Sequence, residues 1–143
     1  MNKLSKIIND LNNLIDDNIE KLLFPTINGN SVRIKNIIVR PSKKHGFVLV
    51  DTVSNKTIKT TFSKSAAIAS AIAQQKNQST KMIDYYDQVL EKNVNDCFFY
   101  ENILKNSNEE ERISSTLVRF EDSKHKIYWA KSSLDEFILN DIR

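Results

Sequence analysis

Every glycine and proline of this chain lies in its first 46 residues: Pro25, Gly29, Pro41 and Gly46. The remainder contains neither of the residues that most reliably interrupt regular structure. Tight turns are therefore confined to the first third, and the pattern predicts a helical second half. At 143 residues the chain is one domain by size, with 40% hydrophobic and 27% charged residues, as in ordinary globular proteins.

Before that helical half, three runs read as strands: Val32 to Arg40, Phe47 to Asp51 and Thr57 to Phe62. All are rich in β-branched residues and bounded by turn chemistry. The loops Pro41 to Gly46 and Val53 to Lys56 are short enough for an antiparallel meander. In the first run Val32, Ile34 and Ile38 share one face, while Ile37 and Val39 join Arg33 and Lys35 on the other. That split predicts a strand covered on both sides near its end. Ser63 is placed to cap the next helix, whose Ala66, Ala67, Ile68, Ala69, Ala71, Ile72 and Ala73 make a thin apolar covering for the sheet.

Ahead of the strands, Leu4, Ile8, Leu11, Ile15, Asn18 and Leu22 are spaced 4, 3, 4, 3, 4. This is a heptad seam with Ile at two a positions and Leu at two d positions. It predicts an amphipathic helix from Asn2 to Leu23, stopped before Pro25. Such a helix either lies on its own domain or joins copies and partners through the seam.

Charge divides the chain. Between Pro25 and Thr80 stand Arg33, Lys35, Arg40, Lys43, Lys44, Lys56, Lys59, Lys64 and Lys76 against Asp51 alone, a net +8 in a chain of +3. Residues 1–24 contribute −1 and residues 81–143 contribute −4. Arg33, Lys35, Lys43, Lys44, Lys59 and Lys64 are candidates to neutralise phosphates without reading sequence. The same charges also serve to keep sheet edges from pairing, or to meet the acidic second half in this chain or a neighbour.

The order helix, three strands, helix over residues 1–76 resembles the double-stranded-RNA-binding domain. Pro41 and His45 in the first strand loop, then Phe47-Val48-Leu49-Val50, and Ser63-Lys64 opening an alanine-rich helix carry the likeness. The resemblance implies phosphate contacts from the start of that helix. Only Lys64 stands where that family clusters its lysines. The stretches Gly46 to Thr52, Phe62 to Ala69 and Asp96 to Tyr100 resemble small proteins of T4-like marine tailed bacteriophages. That likeness implies a virion or host-cytoplasm setting and carries no site residues.

In the second half Ile83, Leu90, Val94, Cys97 and Leu104 form a helical stripe from Thr80 to Lys105. Asn106-Ser107-Asn108 turns the chain, with Ser107 and Glu110 matching a capping box. Ile113, Phe120, Ile127 and Leu134 then recur every seven residues. Leu117, Lys124, Lys131 and Ile138 fill the alternate positions, so the seam reads as mixed and open to water on one side. The two helices predict an antiparallel hairpin. Tyr85-Tyr86, Phe98-Phe99-Tyr100 and Tyr128-Trp129 should each turn a member outward, and Cys97 reads as a buried structural thiol.

The chemistry is sparse. Two glycines exclude a phosphate-cradling loop, and His45, His125 and one cysteine exclude the common zinc patterns. Asp84 and Asp87, one helical turn apart, and Glu121 with Asp122 are acidic pairs that could share a cation, although such pairs on helices are ordinarily solvated. No nucleophile or acid–base motif recommends an enzyme, and no cofactor or small-molecule substrate is implied. A single cysteine forbids an intramolecular disulfide, the interrupted N-terminus is no signal peptide, and no apolar run reaches a membrane span of about 18 residues. The expectation is a cytoplasmic or virion α+β protein. It has an N-terminal helix, a three-stranded antiparallel sheet, a covering helix and a C-terminal helical hairpin. It acts without catalysis, by joining itself or another protein, or alternatively by binding nucleic acid.

Overall fold

The buried residues of the first strand run are Val32, Ile34, Ile37 and Val39, even-numbered before residue 35 and odd-numbered after it. Neighbouring side chains of a strand point to opposite faces, so this change of parity requires a break in the strand. In the computed structural model, which describes residues 26–27, 31–42 and 46–142, the break is a two-residue turn at Lys35-Asn36. Lys35 adopts φ 53° there, and its carbonyl accepts from Arg33 Nε at 2.8 Å. The Asn36 carbonyl accepts from Thr52 N and Thr52 Oγ1 at 2.8 and 2.9 Å, tying this turn to the next one along the same sheet end.

The expected three-stranded sheet is thus a five-stranded antiparallel meander with strand order β1-β2-β3-β4-β5. The strands are β1 (Thr26–Ile27), β2 (Ser31–Ile34), β3 (Ile37–Pro41), β4 (Phe47–Asp51) and β5 (Lys56–Thr61). One run divides into a hairpin, and a two-residue edge strand pairs with it. The single long strand was expected because Lys35-Asn36 holds neither glycine nor proline. Register places Val32, Val39 and Leu49 in one row on the inner face, with Ile34 opposite Ile37 and Phe47 opposite Thr61. Arg33, Ile38 and Val50 form a row on the outer face. A bulge between Leu49 and Val50 leaves Ile58 without a partner in β4. The N-terminal helix, with Leu4, Ile8, Leu11, Ile15, Asn18 and Leu22, lies outside the described residues, as do Lys43, Lys44 and His45.

Gly46 closes the β3–β4 loop at φ +78°, where a Cβ would stand 2.2 Å from the Thr61 carbonyl oxygen. Only glycine fits that left-handed position against that neighbour.

α1 (Lys64–Gln75) begins as expected, with the Ser63 hydroxyl accepting from Ala66 N at 3.1 Å. It is not a thin outer covering, however. All residues from Lys64 to Ala73 are buried, because α1 packs against β2 to β5 on one side and against both later helices on the other. A helix covered all round has to be apolar or small all round, which explains its run of Ala and Ser. Small residues also let three layers approach closely, while Ile68 and Ile72 each contribute roughly 1.5–3 kcal/mol by burial.

α2 (Lys81–Asn106) and α3 (Glu110–Ile142) form the expected antiparallel hairpin, and α3 runs unbroken. Ser107 caps less than expected: its hydroxyl accepts from Glu109 N at 3.4 Å, a local turn ahead of the helix. The seam on α3 keeps Phe120, Ile127, Leu134 and Ile138, all buried. Its alternate positions are Thr116, Ser123 and Ala130, also buried, rather than Leu117, Lys124 and Lys131. The buried alternates are small side chains one residue before the expected ones, so the seam is buried rather than open on one side. Among the described residues, no helix is long and apolar enough to cross a membrane.

Candidate functional site

Among the described residues, the candidate cations do not converge. Arg33 and Lys35 are exposed at the sheet end formed by the β2–β3 and β4–β5 turns. Lys43 and Lys44 lie outside the described residues. Lys59 points inward from the Leu49 row, pairs with Asp84 of α2 and lies 3.4 Å from Thr80 Oγ1. Lys64 is 6% exposed in the first turn of α1. Two of the six candidates are therefore built into the junction between sheet and helices.

The same junction separates the acidic pair. Asp84 takes Lys59 and accepts from Thr80 Oγ1 at 3.1 Å. Asp87, one turn on, is buried and accepts from Phe62 N at 2.8 Å, Ser63 N at 3.0 Å and Ser63 Oγ at 2.9 Å. It clamps α2 to the start of α1, a role the sequence pattern did not reveal. Burial raises its carboxyl above the ordinary carboxylate range, and the three donors hold it partway back. Asp135 of α3 repeats the device, accepting from Ser65 Oγ at 2.9 Å, with its carboxyl likewise raised by burial. Lys76 pairs with Asp141 at the far end of α1. The pairs Lys124–Glu121 and Lys126–Asp122 lie along α3 at 3.8 and 3.1 Å. Among the described residues, no three His, Cys, Asp or Glu side chains are grouped to hold a metal. Cys97 is buried, and burial pushes its thiol up to about 11.

Among the described residues, most of the exposed large apolar side chains lie on the hairpin. The clamp at Asp87 lies near the N-terminal end of α1, so α2 continues from there to Asn106 without α1 beside it, about 28 Å at 1.5 Å per residue. This projecting arm exposes Phe98 (49%), Phe99 (63%), Leu117 (41%) and Val118 (70%). Nearer the sheet, Tyr85, Tyr86 and Trp129 stack edge to face with ring centroids 5.2 to 6.5 Å apart. Tyr85 and Trp129 are the outward members of their doublets, as expected. In the third group both Phe98 and Phe99 face out and Tyr100 is half-buried. Leu117 and Val118 gave no sequence signal, because a heptad reading had placed Leu117 inside. Searches against protein-family models, curated proteins and solved structures return no match for this chain.

Proposed function

We propose that this protein works without catalysis, as an interaction or structural component that assembles through its helices. The observation that carries this reading is the α2–α3 arm, which leaves Phe98, Phe99, Leu117 and Val118 in water well beyond the body formed by the sheet and α1. With each Phe offering 150–250 Å² of surface in full, the four residues together expose roughly 400 Å² of apolar side chain. Apolar area of that order is comparable to the largest patch of an ordinary monomer, which is often functional. Assembly is preferred to nucleic-acid binding because Lys59 has an acidic partner in α2 and Lys64 is buried, leaving Arg33 and Lys35 as the exposed candidates among the described residues.

The test is the solution mass of the full chain over a concentration series at low and high salt, read with its ultraviolet absorbance ratio. Assembly through apolar contact survives added salt, whereas phosphate binding falls steeply with it. A strict monomer that carries nucleic acid at low salt and releases it at high salt would overturn the reading.

A further inference from the structure

β5 is the last strand of the sheet, and among the described residues no strand pairs with its outer edge. The Thr61 carbonyl oxygen abuts Gly46, which opens β4, so the backbone groups of Thr61 face that strand. Lys59, Thr60 and Thr61 pair with β4 without interruption, and successive residues of an antiparallel ladder turn their backbone groups alternately toward and away from the partner. The N–H and C=O of Thr60 therefore point outward, at the free edge. The bulge at Ile58 ends this regular stretch on one side, and on the other the Phe62 N–H is already taken by Asp87.

Beside that edge runs α2, and between them lies a groove of about 430 Å³, walled by β5 from Lys59 to Phe62 and by α2 from Asp84 to Glu91. Three steps of strand are about 10 Å and seven residues of helix about 10.5 Å, so the walls match in length and admit about three residues of extended chain. The charges in the groove do not cancel. Lys59 is paired with Asp84, and Asp87 is filled by its three donors from Phe62 and Ser63. Glu91, one turn beyond Asp87, is exposed and has no hydrogen bond or ion pair among the described residues. Its charge is felt across the groove, where it helps to raise the Asp87 carboxyl.

We propose that this groove takes a short extended peptide segment of another protein, which adds to β5 as a further antiparallel strand and sets a Lys or Arg side chain against Glu91. An antiparallel partner satisfies both outward groups of Thr60 through one residue, whose side chain turns to the outer face with that of Thr60. The residues before and after it lie opposite Thr61 and Lys59, and the pleat turns them toward α2. Opposite Lys59 the groove already holds a cation, whereas opposite Thr61 it opens toward Gln88 and Glu91. The basic side chain therefore belongs one residue before the partner of Thr60. Backbone bonds supply affinity for any extended chain, and the charged position supplies the selection. This edge is separate from the apolar arm, so it extends the assembly reading without depending on it.

Fluorescence anisotropy of a labelled, capped pentapeptide Thr-Lys-Val-Thr-Thr titrated with the full chain should give a dissociation constant of about 0.1–1 mM. Glutamate in place of the peptide lysine, or Glu91→Lys in the protein, should each weaken binding about 10-fold, and the two together should restore it. N-methylation of the peptide valine removes the N–H that the Thr60 carbonyl would accept, keeps every charge, and should also weaken binding about 10-fold. Thr60→Pro removes the matching donor from the protein, at an edge position whose N–H faces outward and where proline is tolerated. The urea midpoint of each variant confirms that the fold is retained. Binding that survives N-methylation and Thr60→Pro undiminished would overturn strand addition in favour of a charge contact alone. No binding at about 5 mM would overturn the site. A dimer of the full chain that Thr60→Pro dissolves would give the edge to a second copy and overturn the peptide. Assembly through the arm is untouched by these changes, so either reading can fail while the other stands.

Discussion

Replacing Asp87 by alanine tests how the central helix is held. The carboxylate accepts from Phe62 N, Ser63 N and Ser63 Oγ, and Ser63 Oγ in turn caps α1 at Ala66 N. Alanine leaves two backbone donors without their acceptor and frees the capping hydroxyl to rotate. Each stranded donor costs about 1–3 kcal/mol, offset in part because a carboxylate no longer has to be buried. The net loss should be about 2–4 kcal/mol, a large share of the roughly 5–15 kcal/mol that holds a domain folded. Urea unfolding followed by fluorescence of Trp129, the single tryptophan, reads it directly, with the slope unchanged and the midpoint lowered. Asp87→Asn keeps one acceptor oxygen but turns an amide donor toward a donor, so it should fall between alanine and the native chain. An Asp87→Ala chain within about 0.5 kcal/mol of native would refute the clamp.

The same residue predicts a pH dependence. Burial raises the Asp87 carboxyl, so the native state holds a proton where the unfolded chain has released it. Below the ordinary carboxylate range both states are protonated and this contribution is fully present. Stability from this group is then lost as pH rises through the raised native value. Asp135 has the same sign. The native chain should therefore show a falling contribution just above the ordinary carboxylate range, flattened in Asp87→Asn; an unchanged profile in that variant would count against the assignment.

Three further predictions test the packing. Ser70 Oγ is buried in α1 without a hydrogen-bond partner, so Ser70→Ala should stabilise by about 1 kcal/mol and raise the Tm; a comparable fall would show that the hydroxyl is bonded. Gly46→Ala should cost more than about 2 kcal/mol, because the new Cβ meets the Thr61 carbonyl at 2.2 Å in a left-handed backbone, and an unchanged midpoint would refute that strain. Cys97 should resist a thiol-specific disulfide reagent until the chain unfolds, since burial holds the thiol protonated, and rapid reaction in the native state would contradict its burial.

The helices were legible because their signals are long. An apolar repeat sustained from Ile113 to Leu134 outvotes local noise, and Ser63 announces its helix through its own chemistry. The first sheet turn was hidden because Lys35 takes a left-handed conformation without being glycine. The parity change from Ile34 to Ile37 was visible, and a strand covered on both faces was the wrong account of it. The alternates on α3 were misread because Leu117 is apolar and Thr116 is not. Helix spacing allows either, and which one is buried depends on the facing helix. Asp87 was hidden for a similar reason: its donors, Phe62 and Ser63, are 25 and 24 residues away and belong to another layer. The charge split was legible as composition, yet the pairings of Lys59 with Asp84 and of Lys76 with Asp141 are what show basic and acidic segments meeting within one chain.

α1 belongs to two cores at once. A larger side chain along its buried run would press on the sheet and the hairpin together, and a smaller one would open a gap toward both. Neither layer can drift in sequence at that contact independently of the other, so tolerance to substitution should be lowest in these ten residues and highest on the arm. The charged segments flanking α1 look like separable modules, but cutting on either side of it would strip one layer of the helix it packs against. The chain is consequently free to vary its reach, through the length of the hairpin, far more readily than its centre.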